Sequence, residues 1–343
     1  MDRPQLPPKV AVIGAGAWGT ALAAHAARQG LAVTLWAHRP EVAERINRDR
    51  INPEFLPEVK LPDNLVAVSD MERALAGQKL VLMVVPSHVM REVAARLAPN
   101  LPRGALVVSA SKGIEDETSA TMVQILEEEF RPHAGLELGA LSGPSFAREV
   151  ALGLPTAVTL AMRSRPLAQA VQALLSAPTF RIYTSLDLVG VELGGALKNV
   201  YAIATGICDG FSLGLNARAA MLPRALGEMS RMAVALGANP MTLAGLSGMG
   251  DLILTATGDL SRNRQVGLRL GRGEQLTDIL AGRRDIAEGI RNARSVHGMA
   301  LRYQVEMPMA REVYRVLYEG KEPRQGLVEL LNRPLKDELD PQV

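Results

Sequence analysis

The six residues from Gly14 to Gly19, G-A-G-A-W-G, limit the fold of this chain more than any other feature. They follow the aliphatic run KVAVI and lead straight into TALAAHAARQ, an Ala-rich stretch with helical character. Glycines at such spacing permit a tight turn and let backbone come close to a ligand. The helix that follows offers unpaired N–H groups and the positive end of its dipole. The spacing alone is a weak signal; between a strand and a helix it predicts a turn that cradles the pyrophosphate of a dinucleotide. Gly14, Gly16 and Gly19 are its candidate residues, with Ala17 and Trp18 between the second and third glycines.

The chain continues in the same manner. Val10 to Ile13, Val33 to Trp36, Leu80 to Val85, Ala105 to Ser109 and Leu138 to Leu141 are short aliphatic runs separated by amphipathic stretches. They are apolar throughout, as strands buried on both faces by crossover helices must be, and they predict a doubly wound parallel sheet in an α/β fold. After Asp187 the pattern changes. Leu188 to Ile207, Ala217 to Leu236, Arg264 to Leu270, Val296 to Gln304 and Met309 to Tyr318 are helical in character, and strand signals disappear. With 343 residues, more than one core normally serves, the division predicts a Rossmann-like dinucleotide-binding domain over 1–187 and an all-helical domain over 188–343.

Charge and cysteine content narrow the function. Against 38 Lys and Arg stand 36 Asp and Glu, so no overall field draws nucleic acid or an anionic membrane, and no nucleic-acid partner is expected. Cys208 is the only cysteine, which excludes an intrachain disulfide and any multi-thiolate metal site and fits a reducing compartment. The five histidines are scattered, and a metal-free reaction is expected. Met1 to Lys9 holds three prolines and no apolar stretch, and no segment reaches the roughly 18 apolar residues of a membrane span. The expected location is the cytoplasm.

Cofactor choice turns on the end of the second predicted strand, where an NAD-specific site usually carries a carboxylate. Here the chain reads Trp36, Ala37, His38, Arg39. Arg39 would neutralise a 2′-phosphate, so NADPH should be accepted beside NADH, although Glu41 stands close enough to oppose it. His38 and Arg39 are therefore candidate cofactor contacts. Two further turns, VVPSHV at 84–89 and SASKGI at 109–114, lie at the carboxyl ends of predicted strands, where open α/β sheets bind ligands. Lys112 would reach a phosphate or a substrate oxygen there; the ordinary alternative is an exposed loop lysine.

Four segments carry a family pattern: SGPSFA at 142–147, GGALKNVYAIA at 194–204, NARAAM at 216–221, and GMGDLILT with SRNR across 248–264. With the glycine loop, in order and spacing to about Tyr318, they resemble the NAD(P)-dependent glycerol-3-phosphate dehydrogenases of the bacterial soluble type. The resemblance implies a helical domain of the 6-phosphogluconate dehydrogenase C-terminal kind. It also implies interconversion of sn-glycerol 3-phosphate and dihydroxyacetone phosphate, run chiefly toward glycerol phosphate for phospholipid synthesis. A homodimer through the helical domain fits it without following from it.

By the same resemblance Lys198 is the catalytic lysine, proton donor in reduction and acceptor in oxidation. Gly194 and Gly195 lie one helical turn before it, so another surface can approach and desolvate it, favouring titration nearer neutrality. Asp251 matches an acid that holds this lysine and the substrate hydroxyl; its bland alternative is a helix N-cap. Lys112 matches a second substrate-contacting lysine. Ser261, Arg262 and Asn263 open a predicted helix with a hydroxyl, a guanidinium, an amide and free N–H groups, which suits a phosphate. The resemblance gives Arg262 a cofactor contact as well and leaves Arg264 peripheral. It places Gly143 and Ser145 at the substrate, and Ala147, Ile286 and Glu288 at the cofactor.

Two rivals remain open on sequence alone. A related dehydrogenase acting on a hydroxy acid, of the 6-phosphogluconate, 3-hydroxy acid or ketopantoate kind, would share the Rossmann domain, the helical domain and the catalytic lysine, whereas SRNR argues for a phosphorylated three-carbon substrate. A dinucleotide sensor without turnover would need none of Lys198, Asp251 and Arg262.

Overall fold

The structure, a computed structural model, describes residues 9–133, 135–281, 287–335 and 337–338. Among these residues the chain divides into two units, Met1–Lys112 with Met122–Leu188, and Gly113–Thr121 with Val189–Val343. The short segment Gly113–Thr121 thus leaves the sheet-bearing part in which a division at 187 would keep it. Its Ile114 is buried in the core of the helical unit, Thr121 Oγ1 donates to Glu192 at 2.8 Å, and the Thr118 carbonyl accepts from Arg302 at 3.0 Å.

In the first unit the aliphatic runs become β1 (Lys9–Ile13), β2 (Ala32–Trp36), β4 (Leu80–Met83), β5 (Leu106–Ser109) and β6 (Glu137–Ser142). Three more strands join them: β3 (Leu65–Val68), β7 (Thr156–Met162) and β8 (Phe180–Ser185). The sheet runs β3-β2-β1-β4-β5-β6-β7-β8. It is parallel from β3 to β6, as the uninterrupted apolar runs predict. An all-parallel sheet does not result, because β7 pairs antiparallel with β6 and β8 follows β7 in parallel.

Helices α1 (Ala17–Arg28), α2 (Pro40–Asp49), α3 (Met71–Leu75), α4 (Met90–Leu97), α5 (Met122–Glu129), α6 (Ala147–Ala151) and α7 (Arg165–Leu175) belong to this unit. The apolar residues of β1 are fully buried, and α1 buries an Ala-rich stretch, Ala21 through Ala27. Such small side chains let a helix lie close against strands. Strand order reverses between β1 and β4, which is where a doubly wound sheet opens a crevice at its carboxyl edge.

The second unit holds α8 (Leu188–Gly210), α9 (Gly214–Ala235), α10 (Pro240–Leu243), α11 (Asp251–Thr257), α12 (Arg262–Gly271), α13 (Leu276–Leu280), α14 (Glu288–Arg302), α15 (Pro308–Tyr318) and α16 (Pro323–Leu331). Among the described residues it has no named strand. Its core gathers Leu197, Val200, Tyr201 and Ile203 of α8 with Met229 and Met232 of α9 and Val296 and Met299 of α14. No described helix is long and apolar enough to cross a membrane.

Candidate active site

The glycine loop leaves β1 with Gly14 at φ +119, a conformation L side chains rarely adopt. A Cβ there would stand 2.6 Å from the Val84 carbonyl oxygen at the end of β4, and one on Gly19 would stand 1.8 Å from the Gly14 carbonyl oxygen. These two glycines close the turn. Gly16 has a different task, since a Cβ on it would meet nothing within 4 Å. The loop therefore keeps open space beside the first N–H groups of the twelve-residue α1, as a pyrophosphate requires.

Two side chains hold this loop in place. The Trp18 indole N–H donates to the Ala110 carbonyl at 3.1 Å, which makes the aromatic residue an anchor. Asn52, fully buried, donates from Nδ2 to the Ala15 carbonyl at 2.9 Å and to Thr20 Oγ1 at 2.8 Å. Nothing in the local pattern around Asn52 marks it for this role.

His38 and Arg39 stand just beyond β2, with Arg39 as the N-cap residue of α2. The Arg39 guanidinium is paired with Glu54, and Glu41 lies 3.8 Å from its Nε. At the carboxyl ends of β5 and β6, Lys112 Nζ donates to the Gly143 carbonyl at 2.9 Å, and Ser145 Oγ donates to the same oxygen at 2.9 Å. Gly143 has φ +145, and a Cβ on it would sit 2.9 Å from the Val158 Cα. Lys112, Gly143 and Ser145 are thus one cluster, with Ala147 at the start of α6 two residues on.

In the helical unit, Lys198 lies inside α8 with its side chain 8% exposed, and Asp251 at the start of α11 is 1% exposed. Nζ donates to Asp251 Oδ1 at 2.5 Å and to Thr255 Oγ1 at 2.7 Å, while Thr255 Oγ1 lies 3.4 Å from the same carboxylate oxygen. Gly194 is what allows it. A Cβ there would stand 2.4 Å from the Ser247 carbonyl oxygen, so only glycine lets the turn before α11 press against α8 one helical turn ahead of the lysine. Asp251 faces Lys198 and does not cap the helix. Thr255 is absent from the sequence expectations, yet its spacing of four from Asp251 puts both on one helix face, a signal that could have found it.

The SRNR segment separates into different roles. Ser261 is the N-cap of α12, buried, with Oγ accepting the Arg264 N–H at 3.2 Å. Arg262 is exposed at the first helical position. Asn263 is buried, donating from Nδ2 to Asn199 Oδ1 at 2.9 Å and accepting the Gly289 N–H on Oδ1 at 2.8 Å. One Nδ2 hydrogen is left for a ligand. Arg264 has its guanidinium largely buried, bonding Asp209 at 2.8 Å and Asp259 at 2.8 Å, because the helix turns it inward. Glu288 opens α14 next to Gly289, and Ile286 lies outside the described residues.

Known proteins match this chain over most of its length. The model of the NAD-dependent glycerol-3-phosphate dehydrogenase N-terminus matches residues 9–168, and that of the C-terminus matches residues 187–328. The glycerol-3-phosphate dehydrogenase [NAD(P)+] of Geobacter sulfurreducens is 51% identical over 330 residues, 96% of this chain and 98% of that one. Its counterpart from Citrifermentans bemidjiense is 50% identical with the same coverage. The crystal structure of glycerol-3-phosphate dehydrogenase from Coxiella burnetii superposes with a TM-score of 0.91 at 38% identity, covering 95% of this chain and all of that one.

Proposed function

The chain belongs to the NAD-dependent glycerol-3-phosphate dehydrogenase family, an oxidoreductase that interconverts sn-glycerol 3-phosphate and dihydroxyacetone phosphate with NADH or NADPH, and we propose that Lys198 is its proton donor and acceptor. The observation that carries this role is the buried contact of Nζ with Asp251 and Thr255. The reduced nicotinamide supplies a hydride to the substrate's carbonyl carbon. Lys198 then gives a proton to the oxygen on which negative charge develops, and takes one back in the reverse direction. Asp251 and Thr255 hold Nζ in one position, so no rotamer search precedes transfer.

In this reading Gly14, Gly16, Ala17 and Gly19 take the pyrophosphate, with Trp18 anchoring the turn. His38 and Arg39 face the adenosine ribose, and Arg39 pairs with a 2′-phosphate when one is present. Ala147 and Glu288 touch the cofactor. Lys112 supplies positive potential to the substrate beside Gly143 and Ser145. Arg262 and the remaining Asn263 N–H hold the substrate phosphate at the positive end of α12, with Ser261 shaping that turn. Arg262 touches the cofactor as well.

The biological setting belongs to the same proposal: a cytoplasmic enzyme that supplies glycerol phosphate for phospholipid synthesis. The single cysteine supports the compartment. A homodimer through the helical unit is consistent with the exposed Leu215 and Met241, which are 75% and 72% accessible.

The test is oxidation of NADH and NADPH with dihydroxyacetone phosphate, followed by nicotinamide absorbance, for wild type and for Lys198→Ala. Wild type should turn over, and the folded, cofactor-binding variant should lose about 10²- to 10⁴-fold in rate, the usual contribution of a positioned acid. A variant with near-normal turnover would remove Lys198 from the mechanism.

A further inference from the structure

We propose that Glu54 sets the preference between NADH and NADPH by holding the guanidinium that a 2′-phosphate must claim, an inference that rests on the reading of Arg39 given above. Arg39 Nη2 is bonded to Glu54, with Glu41 at 3.8 Å on the other side. One cation thus faces two carboxylates. A phosphate dianion at this edge meets a local charge that is already negative, whereas the 2′-hydroxyl of NADH asks nothing of the guanidinium. Glu54 therefore opposes NADPH selectively.

The pair is built into the fold. Glu54 is carried by a tight turn in which the Phe55 and Leu56 N–H groups both return to the Asn52 carbonyl, at 3.3 and 2.9 Å. Asn52 is fully buried and tied to the glycine loop through Ala15 and Thr20, and Leu56 is buried in the core of the sheet unit. Upstream, Arg50 Nη1 donates to the Leu65 carbonyl at 3.0 Å. The turn is thereby fastened on both sides of Glu54, and its backbone is tied to the loop proposed to hold the pyrophosphate. The side chains of Arg39 and Glu54 remain 42% and 28% exposed, so a nucleotide can reach the pair. Glu41, at 61% exposed and farther off, contributes less.

The experiment measures dissociation constants of NADPH and NADH by nicotinamide fluorescence, without substrate, for wild type, Glu54→Gln, Glu54→Asp, Glu41→Gln, Arg39→Ala and the Glu54→Gln/Arg39→Ala double variant. Glu54→Gln should tighten NADPH about fivefold to tenfold and move NADH less than about twofold, with the gain shrinking as salt is added. Glu54→Asp should stay nearer wild type, Glu41→Gln should show a smaller gain, and the double variant none. If Arg39→Ala weakens NADPH but Glu54→Gln leaves the cofactor ratio unchanged, the role of Glu54 is overturned while Arg39 keeps its own. If Arg39→Ala changes neither constant, the reading of Arg39 fails and takes this proposal with it. Loss of both cofactors in Glu54→Gln would make the residue a brace for the loop, and would equally overturn the proposal.

Discussion

Gly267 on α12 lies so close to Ile203 on α8 that a methyl group added to its Cα would stand 2.0 Å from the Ile203 carbonyl oxygen. The relationship repeats along the crossing. Added carbons would meet the Ile207 oxygen at 2.3 Å from Gly271, the Arg264 oxygen at 2.2 Å from Gly206, and the Leu268 oxygen at 2.5 Å from Gly210. Each helix thus presents two glycines four residues apart to the backbone of the other. This close approach joins the helix that carries Lys198 to the helix that opens with Arg262.

Gly267→Ala should therefore destabilise the protein by about 1–3 kcal/mol or more, because the clash is with backbone and cannot relax by a rotamer change. Gly298 supplies the contrast. It lies in the interior of α14, is exposed, and has no atom within 4 Å of an added Cβ, so Gly298→Ala should stabilise by about 0.5–1 kcal/mol through helix propensity alone. Urea unfolding midpoints of the two variants check both signs.

Thr255→Val keeps the volume of the side chain and removes the oxygen that accepts from Lys198 Nζ at 2.7 Å. Loss of one such hydrogen bond to a charged group should lower kcat about tenfold or more, with a smaller change in KM for dihydroxyacetone phosphate, and Thr255→Ser should restore most of the rate. Steady-state kinetics on the three proteins decide it. Equal loss in the serine variant would mean that methyl packing, and not the hydroxyl, is what matters.

Two buried groups give opposing pH dependence of stability. Burial raises the Glu228 carboxyl to about 7, against hydrogen bonds from the Met309 and Ala310 N–H groups and the Tyr201 hydroxyl that pull the other way. The folded state holds this proton more tightly than the unfolded one, so the contribution is full below the ordinary carboxyl value and is lost as pH rises toward 7, on the order of 3 kcal/mol in all. His25 is displaced in the opposite sense, lowered chiefly by burial, in which the Phe180 ring takes part, while its hydrogen bond with the Leu175 carbonyl pulls the other way. Its contribution is present above the ordinary imidazole value and is lost on acidification below it. Unfolding midpoints between about pH 4.5 and 8 should flatten on the rising-pH side in Glu228→Gln and on the acid side in His25→Phe.

Cys208 should be inert in the native protein. Its thiol is buried, lies 2.9 Å from the Met221 sulfur, and is pushed up to about 11 by burial and by the neighbouring Asp209. At pH 8 only about one thiol in a thousand would be ionised. Alkylation by iodoacetamide should therefore be slow without denaturant and should accelerate at the unfolding midpoint. Rapid modification of folded protein would contradict the burial.

The expectations that carried through concern local pattern. Uninterrupted apolar runs identified β1, β2, β4, β5 and β6 because strands covered on both faces need no polar alternation. β8 escaped for the complementary reason: at the sheet edge, buried Phe180 and Ile182 alternate with exposed Arg181 and Tyr183, so no continuous run exists. The antiparallel turn of β7 leaves no trace either, since an apolar strand reads alike in both directions. At the site, family motifs brought out Lys198 and Asp251, while Thr255, Asn199 and Gly289 went unremarked beside them.

What the sequence by itself determined is the glycine turn between β1 and α1, the change from strand to helix near residue 187, and the residue types able to move a proton and hold phosphates. These depend on neighbours within a few positions, where backbone sterics and side-chain period act directly. Only the tertiary structure decided that Asn52 braces a loop 37 residues before it, that Glu54 rather than solvent meets Arg39, that Arg264 turns inward while Arg262 stays exposed, and that Gly113–Thr121 belongs with the helices. Those choices are made by packing between segments far apart in the chain, and packing energy belongs to the pair of surfaces that meet, so neither segment carries it alone.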